Sequence, residues 1–123
     1  MDEMTSPDIL KTLSEIGYMA CLKGNVAQGE MIMEGVHAMN EESIPVRVGL
    51  AVARISASRY AEAVDILQNS VLSVDPDNMT AKCFLGIALT EMGNKTDAKA
   101  YLGDVSEHGD VDEKKIADVY MAV

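Results

Sequence analysis

Apolar residues recur along this chain at helical spacing, and no stretch alternates convincingly in the two-residue rhythm of a strand. The clearest run covers residues 84–102. Leu85, Ala88, Leu89 and Met92 fall there at i, i+3, i+4 and i+7, one face of a helix. Gly93-Asn94 ends that helix, because glycine adopts the left-handed conformation beyond a helix end at little cost. A second stripe, Ala98, Tyr101, Leu102 and Val105, follows directly. Upstream, residues 1–7 read as a frayed lead-in, and Ser6-Pro7-Asp8 starts a helix over about 7–23 with Ile9, Leu13, Ile16 and Ala20 inward. A partner over about 26–39 turns Met31, Met33 and Val36 inward, with Gly29 allowing close approach. Ser43 and Pro45 open the next helix, which ends near residues 56–58, and about 60–74 follows with Ala63, Ile66, Leu67 and Val71 inward. Asp75-Pro76-Asp77-Asn78 is a turn. After Glu107-His108-Gly109-Asp110, a last amphipathic helix over about 111–123 places Ile116, Val119 and Tyr120 inward.

The hairpin of residues 84–102 has two earlier counterparts. A shift of 69 residues carries Leu85-Gly86 onto Ile16-Gly17, Gly93-Asn94 onto Gly24-Asn25 and Leu102 onto Met33. A shift of 35 carries Leu85 onto Leu50, Gly86 onto Ala51, Ala98 onto Ala63 and Leu102 onto Leu67. A period of about 34 to 35 residues is the length of a helix-turn-helix repeat. With its large-small pairs, turn glycines, Tyr60 and the small residues Gly29, Ala63 and Ala98, the chain resembles the tetratricopeptide-repeat family. Asp75-Pro76 closes the second unit as that family often does. It departs from the pattern in having no tryptophan, and Arg47 and Arg54 stand at normally apolar positions. Either that helix is rotated relative to the pattern, or the arginines pair with carboxylates at the seam.

The resemblance implies an all-α fold: three helical hairpins (about 8–40, 43–76 and 78–106) in a right-handed superhelical array, closed by a capping helix at about 111–123, all within one domain of residues 1–123. In that family the first helix of each hairpin lines a concave groove. Carried over residue by residue, the groove positions are Ser14, Tyr18, Cys21 and Leu22, then Val48, Val52, Ile55 and Ser56, then Cys83, Ile87, Thr90 and Glu91. Partner binding is therefore expected at Tyr18, Cys21, Leu22, Val48, Val52, Ile55, Cys83 and Ile87. Spacing alone puts Val48, Val52 and Ile55 on one face that Leu50-Ala51 does not occupy. Lys, Arg and Asn are missing from the groove positions, with Lys11 at the edge, so an apolar or amphipathic segment fits better than a carboxylate-terminated one.

Composition narrows the partner further. Twenty acidic against ten basic residues give a formal charge of −10, which opposes nucleic acid, where affinity comes largely from Lys and Arg displacing counterions. It opposes an anionic membrane surface as well. No apolar run reaches the roughly 18 residues of a membrane span, and Met1-Asp2-Glu3-Met4 has no basic n-region. Two cysteines, Cys21 and Cys83, make no disulfide framework and suit a cytoplasmic protein. Gly24–Gly29 has phosphate-loop spacing, but Glu30-Met31 follows where Lys and Ser/Thr are needed. Residues 104–115 echo a calcium loop, yet Lys115 stands where the bidentate Glu belongs. His37 and His108 sit in no metal spacing. Neither catalysis nor a cofactor or metal is expected.

By size, acidity, repeat number, nine methionines and groove character, the chain resembles the small chaperones of bacterial type III secretion, which hold needle or translocator subunits unpolymerised before export. The resemblance implies a protein partner, with a second small co-chaperone completing the complex. The competing reading is a structural scaffold that uses the same surface on itself, as a homo-oligomer, or on a larger assembly.

Overall fold

The computed structural model describes residues 13, 15–17, 19–21 and 23–122. The expected frayed lead-in, the start of the first helix and the groove positions Ser14, Tyr18 and Leu22 lie outside them. Residues 13, 15–17 and 19–21 are helical, and six helical elements follow. These are α1 (Val26–Met39), α2 (Ile44–Ser56), α3 (Tyr60–Asp65, continuing as a π-helix over Ile66–Val71), α4 (Met79–Glu91), α5 (Lys95–His108) and α6 (Val111–Met121). No strand occurs among the described residues.

The helix starts are written in local chemistry. Ser43, Asn78, Asn94 and Asp110 each accept a hydrogen bond from the backbone N–H three residues on, satisfying a donor that the first turn leaves without a partner. At α6 the arrangement is reciprocal, since Glu113 Oε1 accepts from the Asp110 N–H at 3.0 Å. The turns repeat as well. Gly24, Ser58 and Gly93 all have positive φ, at 85°, 60° and 84°. In each case the next residue's N–H closes a bond back to Ala20, Arg54 or Leu89. Ser58 therefore occupies the repeat's turn position without the glycine that makes this conformation cheap.

The chain divides into two compact units, residues 1–59 and 60–123, the division falling inside the second expected repeat. In the first unit α1 packs on α2. Gly29, Met33 and Val36 are buried at i, i+4 and i+7, and a Cβ at Gly29 would overlap the Cys21 sulfur and stand 2.9 Å from the Gly17 carbonyl oxygen. Met31 is exposed rather than inward, because the buried stripe runs through Gly29 and not through it. Arg54 resolves the alternatives left open above. Its Nη1 donates to Glu30 Oε2 and Glu34 Oε1, both on α1, at 2.7 Å. Arg47 Nε donates to the Glu41 carbonyl at 2.8 Å. Burial disfavours the Arg54 charge, but its two carboxylates outweigh that and hold its pKa above the ordinary value.

In the second unit α4 packs on α3 with its π-helix, on α5 and on α6, and α5 packs on α6. Ala63, Leu67, Val71, Leu85, Ala88, Ala98, Leu102, Val105 and Ala117 are buried. The π-helix closes with Leu72 N–H to the Leu67 carbonyl at 2.9 Å, and Ser73 Oγ donates to the Asn69 carbonyl. Helix α6 is rotated from the expected orientation. Ala117 is fully buried and Tyr120 partly so, while Ile116 and Val119 are 38% and 64% exposed. The small Ala117 lets the helix approach closely, so Glu113, Ala117 and Tyr120 form the inward stripe at i, i+4 and i+7.

Candidate functional site

Counting from the caps brings α2, α4 and the capping helix α6 into one register. Positions 1, 5, 9 and 12 after Ser43 are Ile44, Val48, Val52 and Ile55. After Asn78 they are Met79, Cys83, Ile87 and Thr90, and after Asp110 they are Val111, Lys115, Val119 and Ala122. The first two sets contain the residues singled out for partner binding on α2 and α4. The third extends the same register onto α6, where the inward assignment of Ile116 and Val119 concealed it.

Exposure along these stripes is uneven. Val48 and Val52 are only 8% and 7% exposed, so the open apolar face expected on α2 narrows to the partly buried Ile55. Cys21 is buried, with its thiol pKa raised chiefly by that burial. On α4 Cys83 is 2% exposed and Ile87 is partly buried. Cys83 is covered because α6 packs there: the Glu113 and Asp110 carboxylates act on it electrostatically, and Thr80 Oγ1 donates to Glu113 Oε2 at 2.6 Å. Burial first, then the two carboxylates, raise the Cys83 pKa to about 11, so the thiol is protonated and not nucleophilic at neutral pH. Thr90 Oγ1 donates to the Gly86 carbonyl at 2.8 Å, and Ser56 Oγ to the Val52 carbonyl at 3.1 Å. Each hydroxyl donates its proton within its own helix, and the Ser56 side chain also hydrogen-bonds the Cys21 thiol.

Sequence reasoning missed one apolar surface in the first unit. Leu13, Met31, Ile32, Gly35, Val36 and Met39 line a hollow of about 230 Å³. A Cβ at Gly35 would meet nothing within 4 Å, which leaves the hollow open between two flexible methionines. The signal was present as Met31, Gly35 and Met39 at i, i+4 and i+8. Among the described residues, no group of three His, Cys, Asp or Glu side chains could hold a metal ion. No helix among them is long and apolar enough to cross a membrane.

Polar ties brace the second unit around its stripe. Lys82 Nζ donates to Asp104 Oδ2 at 2.9 Å, linking α4 to α5, and Ser106 Oγ donates to Asp118 Oδ1 at 2.7 Å, linking α5 to α6. The Lys82 hydrogen bond, with the charge behind it, holds the Asp104 carboxyl below its ordinary pKa. A carboxylate of depressed pKa contributes stability above its ordinary pKa and loses it as pH falls through the folded value. The difference in urea midpoint between wild type and Lys82→Met is therefore expected at neutral pH and should vanish under acid conditions. A difference independent of pH would mean that Lys82 acts through its aliphatic stem alone.

The fold is similar to that of the Yersinia enterocolitica type III secretion translocator chaperone SycD. One SycD structure, an alternative dimer, aligns with a TM-score of 0.79 at 14% identity, covering 98% of this chain and 94% of that one. A second aligns with a TM-score of 0.79 at 14% identity, covering 96% and 92%. PcrH, in complex with the chaperone binding region of PopB, aligns with a TM-score of 0.76 at 15% identity over 95% of both chains. No curated protein matches this chain in sequence. The tetratricopeptide repeat model matches residues 54–119, more than half of the chain, which joins the period, the left-handed turns and the cap register in one conclusion: the chain belongs to the tetratricopeptide-repeat family.

Proposed function

We propose that residues 1–123 act as one cytoplasmic module, a chaperone or adaptor that sequesters an apolar or amphipathic segment of a partner protein in a concave groove. The observation that carries this reading is the cap register of α2 and α4, apolar at Ile44, Val48, Val52 and Ile55 and at Met79, Cys83 and Ile87, with no Lys or Arg among them. Likeness of fold to translocator chaperones, one of them holding a segment of PopB, supports the same reading. In this function Ile55 and Ile87 touch the partner, and the more deeply set Val48, Val52, Cys21 and Cys83 back them. Tyr18 and Leu22 complete the contact. The partner class is a secreted needle or translocator subunit, whose apolar surface would otherwise drive assembly before export. A second small co-chaperone shares the complex.

Affinity purification from the native cytoplasm tests this. The expected result is a stoichiometric small secreted protein, held at least about tenfold more weakly by Ile55→Glu or Ile87→Glu, because one carboxylate must be desolvated against an apolar partner. Thermal melting of both variants should stay close to wild type. Recovery of nothing but further copies of this chain, or unchanged capture by both variants, would overturn the reading.

A further inference from the structure

Helix α6 carries an uncovered face at the register that α6 itself covers on α4. Val111 is 69% exposed and Val119 64%, and Asp112, Lys115 and Ile116 are exposed beside them. Here the face is apolar and also carries both signs of charge, Asp112 and Lys115 at i and i+3, and neither has an ion-pair partner among the described residues.

We propose that α6 pairs with α6 of a second copy, antiparallel about a two-fold axis. In that arrangement Asp112 meets Lys115 of the partner subunit, Lys115 meets Asp112 of the partner subunit, and Val111 meets Ile116 of the partner subunit in both directions. An isologous contact of this kind needs a self-complementary patch. The spacing of the two charges supplies it, whereas a uniformly acidic or basic helix would leave one of them facing its like. The contact stands apart from the groove reading and does not depend on it. An eleven-residue helix is about 16 Å long. The interface is therefore in the small class, and each copy carries a formal charge of −10. Association is therefore weak at physiological ionic strength.

Sedimentation equilibrium from about 10 μM to about 1 mM, at roughly 0.15 M salt, reads the monomer–dimer balance. Wild type is expected to dimerise across that range. Asp112→Lys and Lys115→Asp each turn both cross-pairs into like charges and should weaken association at least about tenfold. An equimolar mixture of the two variants restores opposite charges at both cross-pairs and should recover a heterodimer. Both positions are exposed, so circular dichroism of each variant should match wild type. A wild-type chain monomeric at 1 mM overturns the proposal without any variant. So does association of either single variant at wild-type strength, or a mixture that stays monomeric.

Discussion

Leu102→Ala is expected to destabilise the second unit by about 2–5 kcal/mol, the range for truncating a large buried aliphatic side chain. Leu102 is 1% exposed and lies against Gly86, at the closest approach of α4 and α5. A Cβ built on Gly86 would overlap Leu102 Cδ2 and stand 2.5 Å from Leu102 Cγ. Gly86→Ala should therefore cost about 1–3 kcal/mol by overpacking, despite the roughly 1 kcal/mol that alanine gains over glycine within a helix. The sharper expectation concerns the pair. With Leu102 already truncated, the methyl of Gly86→Ala enters vacated space, and the same substitution should become neutral or stabilising. A double-mutant cycle on urea midpoints measures this, with an expected coupling of about 1–3 kcal/mol. Additive effects would mean that α4 and α5 do not meet at Gly86 and Leu102.

Val52→Glu is expected to cost about 3–5 kcal/mol, combining the lost burial of an aliphatic side chain with the desolvation of a carboxylate. At 7% exposure the position offers that carboxylate little water. Burial raises the pKa of such a group, so its penalty is largest at neutral pH and should shrink as pH falls through the raised value and the side chain becomes neutral. Thermal unfolding of wild type and variant across acid to neutral pH checks both magnitude and slope. A variant that melts like wild type at every pH would show that this face of α2 is open to solvent. Because Val52 supports the fold, loss of capture in Val52→Glu would not distinguish unfolding from lost contact. Ile55 and Ile87, less deeply buried, carry the binding test for that reason.

Element positions were legible because their determinants are local. Residues 26–39 were expected as a helix and form one with those bounds, and α2, α4 and α5 begin at residues whose side chains cap them. The repeat was legible too: Gly24 and Gly93 stand 69 residues apart and take the same left-handed turn. Ser58 completes that series in the structure, although no glycine announced it. The π-helix at Ile66–Val71 escaped notice, since a periodicity of 3.6 residues does not distinguish an i→i−5 bond from an i→i−4 one over a single turn.

For the candidate site, the sequence named the stripe positions on α2 and α4 but not their depth. Spacing states which residues share a face, not which face a neighbouring helix covers. On α2 the two sides compete, Val46, Leu50 and Ala53 against Val48 and Val52, and all five are buried. On α6 the expected stripe of Ile116 and Val119 yields to Ala117 and Tyr120, because packing against α4 and α5 rewards a small residue at the closest approach. Arg54 could pair or rotate away until Glu30 and Glu34, 24 and 20 places earlier in the chain, were brought beside it.

The sequence by itself determined the helices, their caps, the repeat and the family, all of which follow from bonds and spacings within a few residues or from a fixed period. Tertiary structure alone decided how α6 is rotated, how deep Val52 and Cys83 lie, and which carboxylates hold Arg54. Those depend on contacts between segments distant in the chain, which a helical period leaves free by a rotation about its own axis.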